Sequence, residues 1–186
     1  MSRDLLDSII EINFLERQLG FSGWRDLKVL DIGAGYGRLA HRMATALPNL
    51  RKYYCVDAVP ESTLISDYYL KYRNMTGLCT VVPLDQIGQM EQPDLAINIH
   101  SFPECRNRVV EWWLDRVRDM GIPWLFIVST PSLGLTSRDE AGRKDFRQLI
   151  ERSGFELWAY ESKFEGAPIL QPHGLYPADY YPFRRS

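Results

Sequence analysis

Three glycines at alternate positions, Gly33, Gly35 and Gly37, separate an apolar run from a helical pattern in "VLDIGAGYGRLAHRM", residues 29–43. Val29, Leu30 and Ile32 read as a short buried strand, and Leu39, Ala40 and Met43 recur at helical spacing. The glycines therefore occupy a strand-to-helix turn. Such a turn lets backbone approach a ligand, with the amides of a helix N-terminus facing it. A tight turn without a ligand is the plainer alternative. The spacing is G-x-G-x-G, not the G-x-G-x-x-G of a dinucleotide fingerprint, and no Gly-Lys-Ser/Thr follows to make a P-loop.

The rest of the chain repeats the strand-then-helix pattern. Residues 4–20 have apolar residues at helical spacing and stop at Gly20, which predicts a docking helix or lid. Further strands are expected at 52–56, 79–84, 94–99, 123–130 and, as one long strand, 155–164. Helices are expected from Pro60, over 106–121 and over 140–154. The stretch after Phe164, rich in proline and aromatic residues, is expected to be a loop that ends in an edge strand near Tyr180–Phe183. Alternating strands and helices imply a mostly parallel sheet with helices on both faces. At 186 residues the expectation is one domain, 1–186, with a helical lid at 1–22 and a substrate loop and edge strand at 165–186.

Composition narrows the function classes. The net charge of -2 and the lack of a basic stripe argue against nucleic acid as partner. No apolar run reaches bilayer length, so no membrane partner is expected, and the location is expected to be cytoplasmic. Cys55, Cys79 and Cys105 lack metal-ligand spacing and are expected to be reduced thiols. Arginine outnumbers lysine, a weak pointer to a bacterial source.

The glycine turn resembles motif I of the S-adenosylmethionine-dependent methyltransferases of Rossmann-like fold. Asp31, Gly33 and Gly35 match the acidic residue and G-x-G of that motif, and Asp57 in "YYCVDAVPES" matches the carboxylate that holds the ribose hydroxyls. A carboxylate suits a vicinal diol because it accepts two hydrogen bonds. The resemblance implies an α/β fold with a mostly parallel seven-stranded sheet and S-adenosyl-L-methionine as cofactor. It implies a cofactor site of Asp31, Gly33, Gly35, Tyr36, Gly37, Asp57, Ala58, Leu84, Asp85, Asn98 and Ile99. Asp85 and Gln86 fall slightly later than the adenine loop of the family.

"DLAINIHSFPEC" and the tyrosine-rich helix after Asp57 are similar to the sugar O-methyltransferases, a bacterial group acting on saccharide hydroxyls. Asn98, Ser101, Phe102 and Glu104 fit their Asn-x-x-Ser-Phe-x-Glu pattern. A sugar hydroxyl is a poor nucleophile, so its proton must be removed while it is held in line with the methyl group. Glu104 and His100 are the candidates for that base, with His173 next. Ser101, Phe102, Tyr176 and Asp179 are candidates for the acceptor side. Against these stand plain roles: His100 as a turn histidine, Glu104 as a helix N-terminal carboxylate, His41 as a solvated or packed residue, and Tyr68, Tyr69, Tyr72, Trp112 and Trp113 as packing. A divalent metal such as Mg2+ would find oxygen ligands in Glu104 and Asp139, but no spacing establishes a site. Methylation of another small metabolite, O- or N-, and a non-catalytic cofactor-binding subunit stay open, as does a homodimer.

Overall fold

The first helix begins where Ser2 caps it, accepting a hydrogen bond from the amide of Leu5, and ends where Gly20 turns left-handed at φ 59°. In the computed structural model, which describes residues 2–164 and 175–186, this is α1, Arg3–Leu19. The chain divides into two compact units, Met1–Asp94 and Leu95–Ser186.

In the first unit α1 precedes β1 (Leu27–Ile32), α2 (Arg38–Ala46), β2 (Leu50–Val56), α3 (Pro60–Tyr72) and β3 (Cys79–Val81). The strands are parallel, with β2 between β1 and β3. Leu30 faces Tyr54 and Tyr53 faces Cys79. Both long strands end in four consecutive buried residues, the pattern of a parallel sheet covered on both faces. The third strand is shorter than the expected 79–84. Pro83 has no amide to give a ladder, and the chain passes into a 3-10 turn over Leu84–Gln89.

The second unit holds β4 (Leu95–Ile99), α4 (Asn107–Asp119), β5 (Trp124–Ser129), β6 (Thr136–Asp139), β7 (Gly142–Asp145), α5 (Arg147–Arg152), β8 (Phe155–Leu157), β9 (Glu161–Ser162) and β10 (Asp179–Arg185). β4 and β5 are parallel, whereas β10 runs antiparallel to β5 on one side and to β8 and β9 on the other.

Three expectations change here. The last strand is internal, flanked on both sides, rather than at the edge. Its buried run from Asp179 to Phe183 agrees with that position. The first part of the helix expected over 140–154 is instead the turn and second strand of the β6–β7 hairpin, because Gly142 at φ 125° breaks the helical path; only Arg147–Arg152 is helical. The long strand 155–164 is split. Phe183 pairs with Leu157 and Tyr180 with Glu161, so Tyr181 and Pro182 lie opposite Trp158, Ala159 and Tyr160. One residue is extra, and Pro182 accepts from the amide of Trp158 but has none to return. Among the described residues no helix is long and apolar enough to cross a membrane.

Candidate functional site

The carbonyl of Val56, at the end of β2, accepts from the amides of Gly33 (2.8 Å) and Ala34 (3.2 Å), stapling the glycine turn to the neighbouring strand. Gly33, Gly35 and Gly37 have φ of 76°, 56° and 81°, a region where a Cβ is disfavoured. Gly35 and Gly37 differ in surroundings. A Cβ on Gly37 would lie 2.8 Å from Ser66 Oγ, so α3 packs directly on the turn there. A Cβ on Gly35 would meet nothing within 4 Å. The turn is filled from behind and open at Gly35.

Asp57 is tied to this opening. One carboxylate oxygen accepts from the amide of Gly35 at 3.0 Å and the other from the amide of Val59 at 2.8 Å. Each oxygen keeps a second acceptor direction. Asp57 also lines a cleft of about 510 Å3 with Ala58, Leu64, Val81, Pro83 and Leu84. This cleft joins an acceptor carboxylate to apolar walls, as a nucleoside requires. Asp85 is exposed and not part of the lining, so the structure leaves it out of the cleft.

Asp31, at the end of β1, is almost fully buried and accepts from Tyr53 Oη at 2.8 Å. Burial pushes its carboxyl up to about 7, more than the Tyr53 bond and the Arg38 charge pull it down. Arg38, the first residue of α2, forms two bonds to Glu11 (2.8 and 2.9 Å) and one to Ser8 (2.8 Å). Tyr36 donates to Asp4 at 2.8 Å, and burial with that bond lifts its phenol to about 12. Asp4, Ser8 and Glu11 thus hold α1 on the glycine turn. Sequence reading missed this clamp, although their spacing of four and three places them on one face of an otherwise apolar helix.

His41 is a packed residue. Its Nε2 accepts from Arg73 (3.1 and 3.0 Å), which leaves Nδ1–H to donate to Tyr69 Oη at 2.8 Å. Burial, with the charge of Arg73, lowers its pKa.

In the second unit the turn after β4 is closed by Asn98. Fully buried, it accepts from the amide of Phe102 at 2.9 Å. Ile99 ends the strand and His100 follows at φ 60°, left-handed without being glycine, its amide bonded to Val128 O at 2.9 Å. Such a conformation costs roughly 1 kcal/mol or more. His100 and Glu104 are both exposed and flank, in sequence, the partly exposed Ser101 and the buried Phe102. Phe102, expected on the acceptor side, is instead fully buried, its ring edge-on to Phe146 at 5.9 Å.

Asp179 is likewise drawn inward. It lies in β10, 6% exposed, bonded by the side chains of Tyr160, Tyr181 and Ser162, and burial raises its pKa. Tyr176 is exposed, and its carbonyl accepts from Lys163 Nζ at 3.1 Å. His173 and the part of the expected substrate loop over 165–174 lie outside the described residues. Among the described residues no three His, Cys, Asp or Glu side chains converge as metal ligands, so Glu104 and Asp139 belong to no such cluster.

No protein-family model matches the chain, and no curated protein sequence matches it. Many solved structures do. One is a magnesium protoporphyrin IX methyltransferase from Synechocystis with bound SAH, at 16% identity and TM-score 0.67, covering 99% of this chain and 83% of that one. A mitomycin 7-O-methyltransferase shares 20% identity at TM-score 0.68, over 96% of this chain and 54% of that one. A [4+2]-cyclase matches at 13% identity and TM-score 0.67, over 95% and 81%. The fold is the Rossmann-like methyltransferase fold. It supplies the mostly parallel sheet expected from the sequence, with three strand positions in the first unit. Four are in the second, where β8 and β9 share one side of β10. The cyclase shows that this fold also serves other chemistry, so function is argued from the site.

Proposed function

We propose that the chain is an S-adenosylmethionine-dependent methyltransferase. The observation that carries this reading is the junction of Gly35 and Asp57 at the cleft: an unobstructed glycine, and a carboxylate with spare acceptor capacity beside apolar walls. The neighbours of like fold, one with bound SAH, support it. Asp57 would take the ribose hydroxyls, and Pro83 and Leu84 would flank the base. The open turn at Gly33 and Gly35 would admit the methionine portion. Once bound, the cofactor supplies a methyl group already activated on a sulfonium.

The acceptor we propose is a hydroxyl of a saccharide or glycosylated metabolite, on the similarity of "NIHSFPE" to the sugar O-methyltransferases. The protein's task is then to hold the hydroxyl in line and take its proton, a role we assign to Glu104 or His100. The strained backbone at His100 favours a functional part for that turn.

The deciding experiment incubates the protein with methyl-labelled S-adenosylmethionine and a panel of mono- and oligosaccharides, and follows the mass of each sugar. A gain of one methyl group supports the full reading. Transfer only to other metabolites would overturn the saccharide assignment, and cofactor binding without turnover would leave a binding subunit.

A further inference from the structure

The second unit contains a cavity of about 580 Å3, lined from β8, β10 and α5, that shares no lining residue with the turn after β4. Its walls are mostly apolar; Leu157 and Tyr160 are exposed, and the other apolar residues are fixed by burial. Leu135, Phe155 and Phe183 are nearly or fully buried, and Tyr181 lies two residues from Phe183 on the same face of β10. The Tyr181 ring is held by its hydroxyl, which donates to Asp179 at 3.4 Å.

Two charged side chains complete the lining: Arg147 and Glu151. They stand at i and i+4 on α5, one helix face, with Cβ atoms about 5–6 Å apart by helix geometry. Arg147 also lies 3.6 Å from Asp145, but a guanidinium has five donors and is not used up by one carboxylate.

This combination selects a ligand class. A neutral apolar molecule would gain nothing from the two exposed charges. An organic anion would pair with Arg147 and meet repulsion at Glu151, and an organic cation would meet the reverse. A small ring with a carboxylate and an ammonium on one carbon satisfies both and fills the apolar part. The volume lies within the range of small-molecule sites. We propose that this cavity binds a free aromatic amino acid or a close zwitterionic analogue. Its carboxylate sits on Arg147, its ammonium on Glu151, and its ring against Phe155, Tyr181 and Phe183. Aromatic side chains contribute both apolar area and edge-on contacts.

The test uses the full chain, calorimetry and ligand-observed NMR, with L-phenylalanine, phenylacetate and phenethylamine as probes. Saturable phenylalanine binding with Kd below about 1 mM is expected. Arg147→Gln should weaken phenylalanine and phenylacetate about tenfold and spare phenethylamine. Glu151→Gln should weaken phenylalanine and phenethylamine and spare phenylacetate. Both residues are exposed, so folding is not at stake. No saturable phenylalanine binding overturns the proposal. So does binding indifferent to both substitutions, or an equal loss for all three probes, which would report a disturbed cavity. S-adenosylmethionine affinity, measured alongside, should not change in either variant.

Discussion

Gly35 and Asp57, 22 residues apart, meet through a 3.0 Å hydrogen bond from the glycine amide to the carboxylate. The bond fixes the open part of the glycine turn against the residue proposed to hold the ribose. Asp57→Ala should weaken S-adenosylmethionine binding at least about tenfold by calorimetry, in line with the loss of charge-assisted bonds. Asp57→Asn, which keeps one acceptor for Gly35 or Val59, should hold the melting temperature better than alanine. Unchanged affinity in a folded Asp57→Ala protein would remove the cofactor assignment.

Arg38 and Glu11 form a two-bonded ion pair with 20% and 3% of their side chains exposed. Glu11→Gln removes the hydrogen-bonded counter-charge of a mostly buried cation and should cost about 3 kcal/mol in denaturant unfolding. The double variant Glu11→Gln with Arg38→Met should recover part of that loss. If the double variant is no better than Glu11→Gln alone, the pair does not act as a unit.

Asp31 predicts a pH dependence. Its carboxyl titrates at about 7 in the folded chain, against an ordinary 3.8. The folded state therefore holds this proton more tightly than the unfolded one. The contribution is fully present below pH 3.8 and is lost as pH climbs through about 7, a change on the order of 4 kcal/mol. Asp31→Asn cannot ionise and still accepts from Tyr53. The melting temperature of this variant relative to the parent should rise between pH 4.5 and 8. A flat difference across that range would contradict the assignment.

His100 separates stability from activity. His100→Gly relieves the left-handed backbone and removes the imidazole, whereas His100→Ala removes the imidazole alone. The glycine variant should be more stable than the alanine variant by roughly 1 kcal/mol. Both should lose about a hundredfold in turnover if His100 takes the proton. Near-normal turnover in both shifts the role to Glu104, where Glu104→Gln should then abolish it.

Legibility in the sequence followed the range of the forces involved. The glycine turn, β1, α2 and the end of α1 rest on local pattern and backbone freedom, so they could be read directly. The hairpin at β6 and β7 was hidden because "EAGRKDFRQLIER" has helix-forming composition and only Gly142 opposes it. The interior place of β10 depends on pairing partners 50 to 60 residues back at β5, which no local window contains. At the site, Asp57 was proposed from the resemblance, which needs only its place at the end of β2. Arg38, Glu11 and Tyr53 were not, because each matters only through a long-range partner. Phe102 was assigned to the acceptor side from the resemblance and Asp179 from its place in a polar loop, whereas tertiary packing buries both.

The clamp between α1 and the glycine turn has a consequence for how this sequence can drift. Positions 11 and 38 are chemically tied across 27 residues, so a change at either is tolerated only when the other changes with it. Diverged copies should carry Glu with Arg, or an apolar residue at both positions, and the mixed combinations should be missing. The first helix, which by spacing alone reads as a docking helix or lid, is in that sense inherited together with the turn it guards.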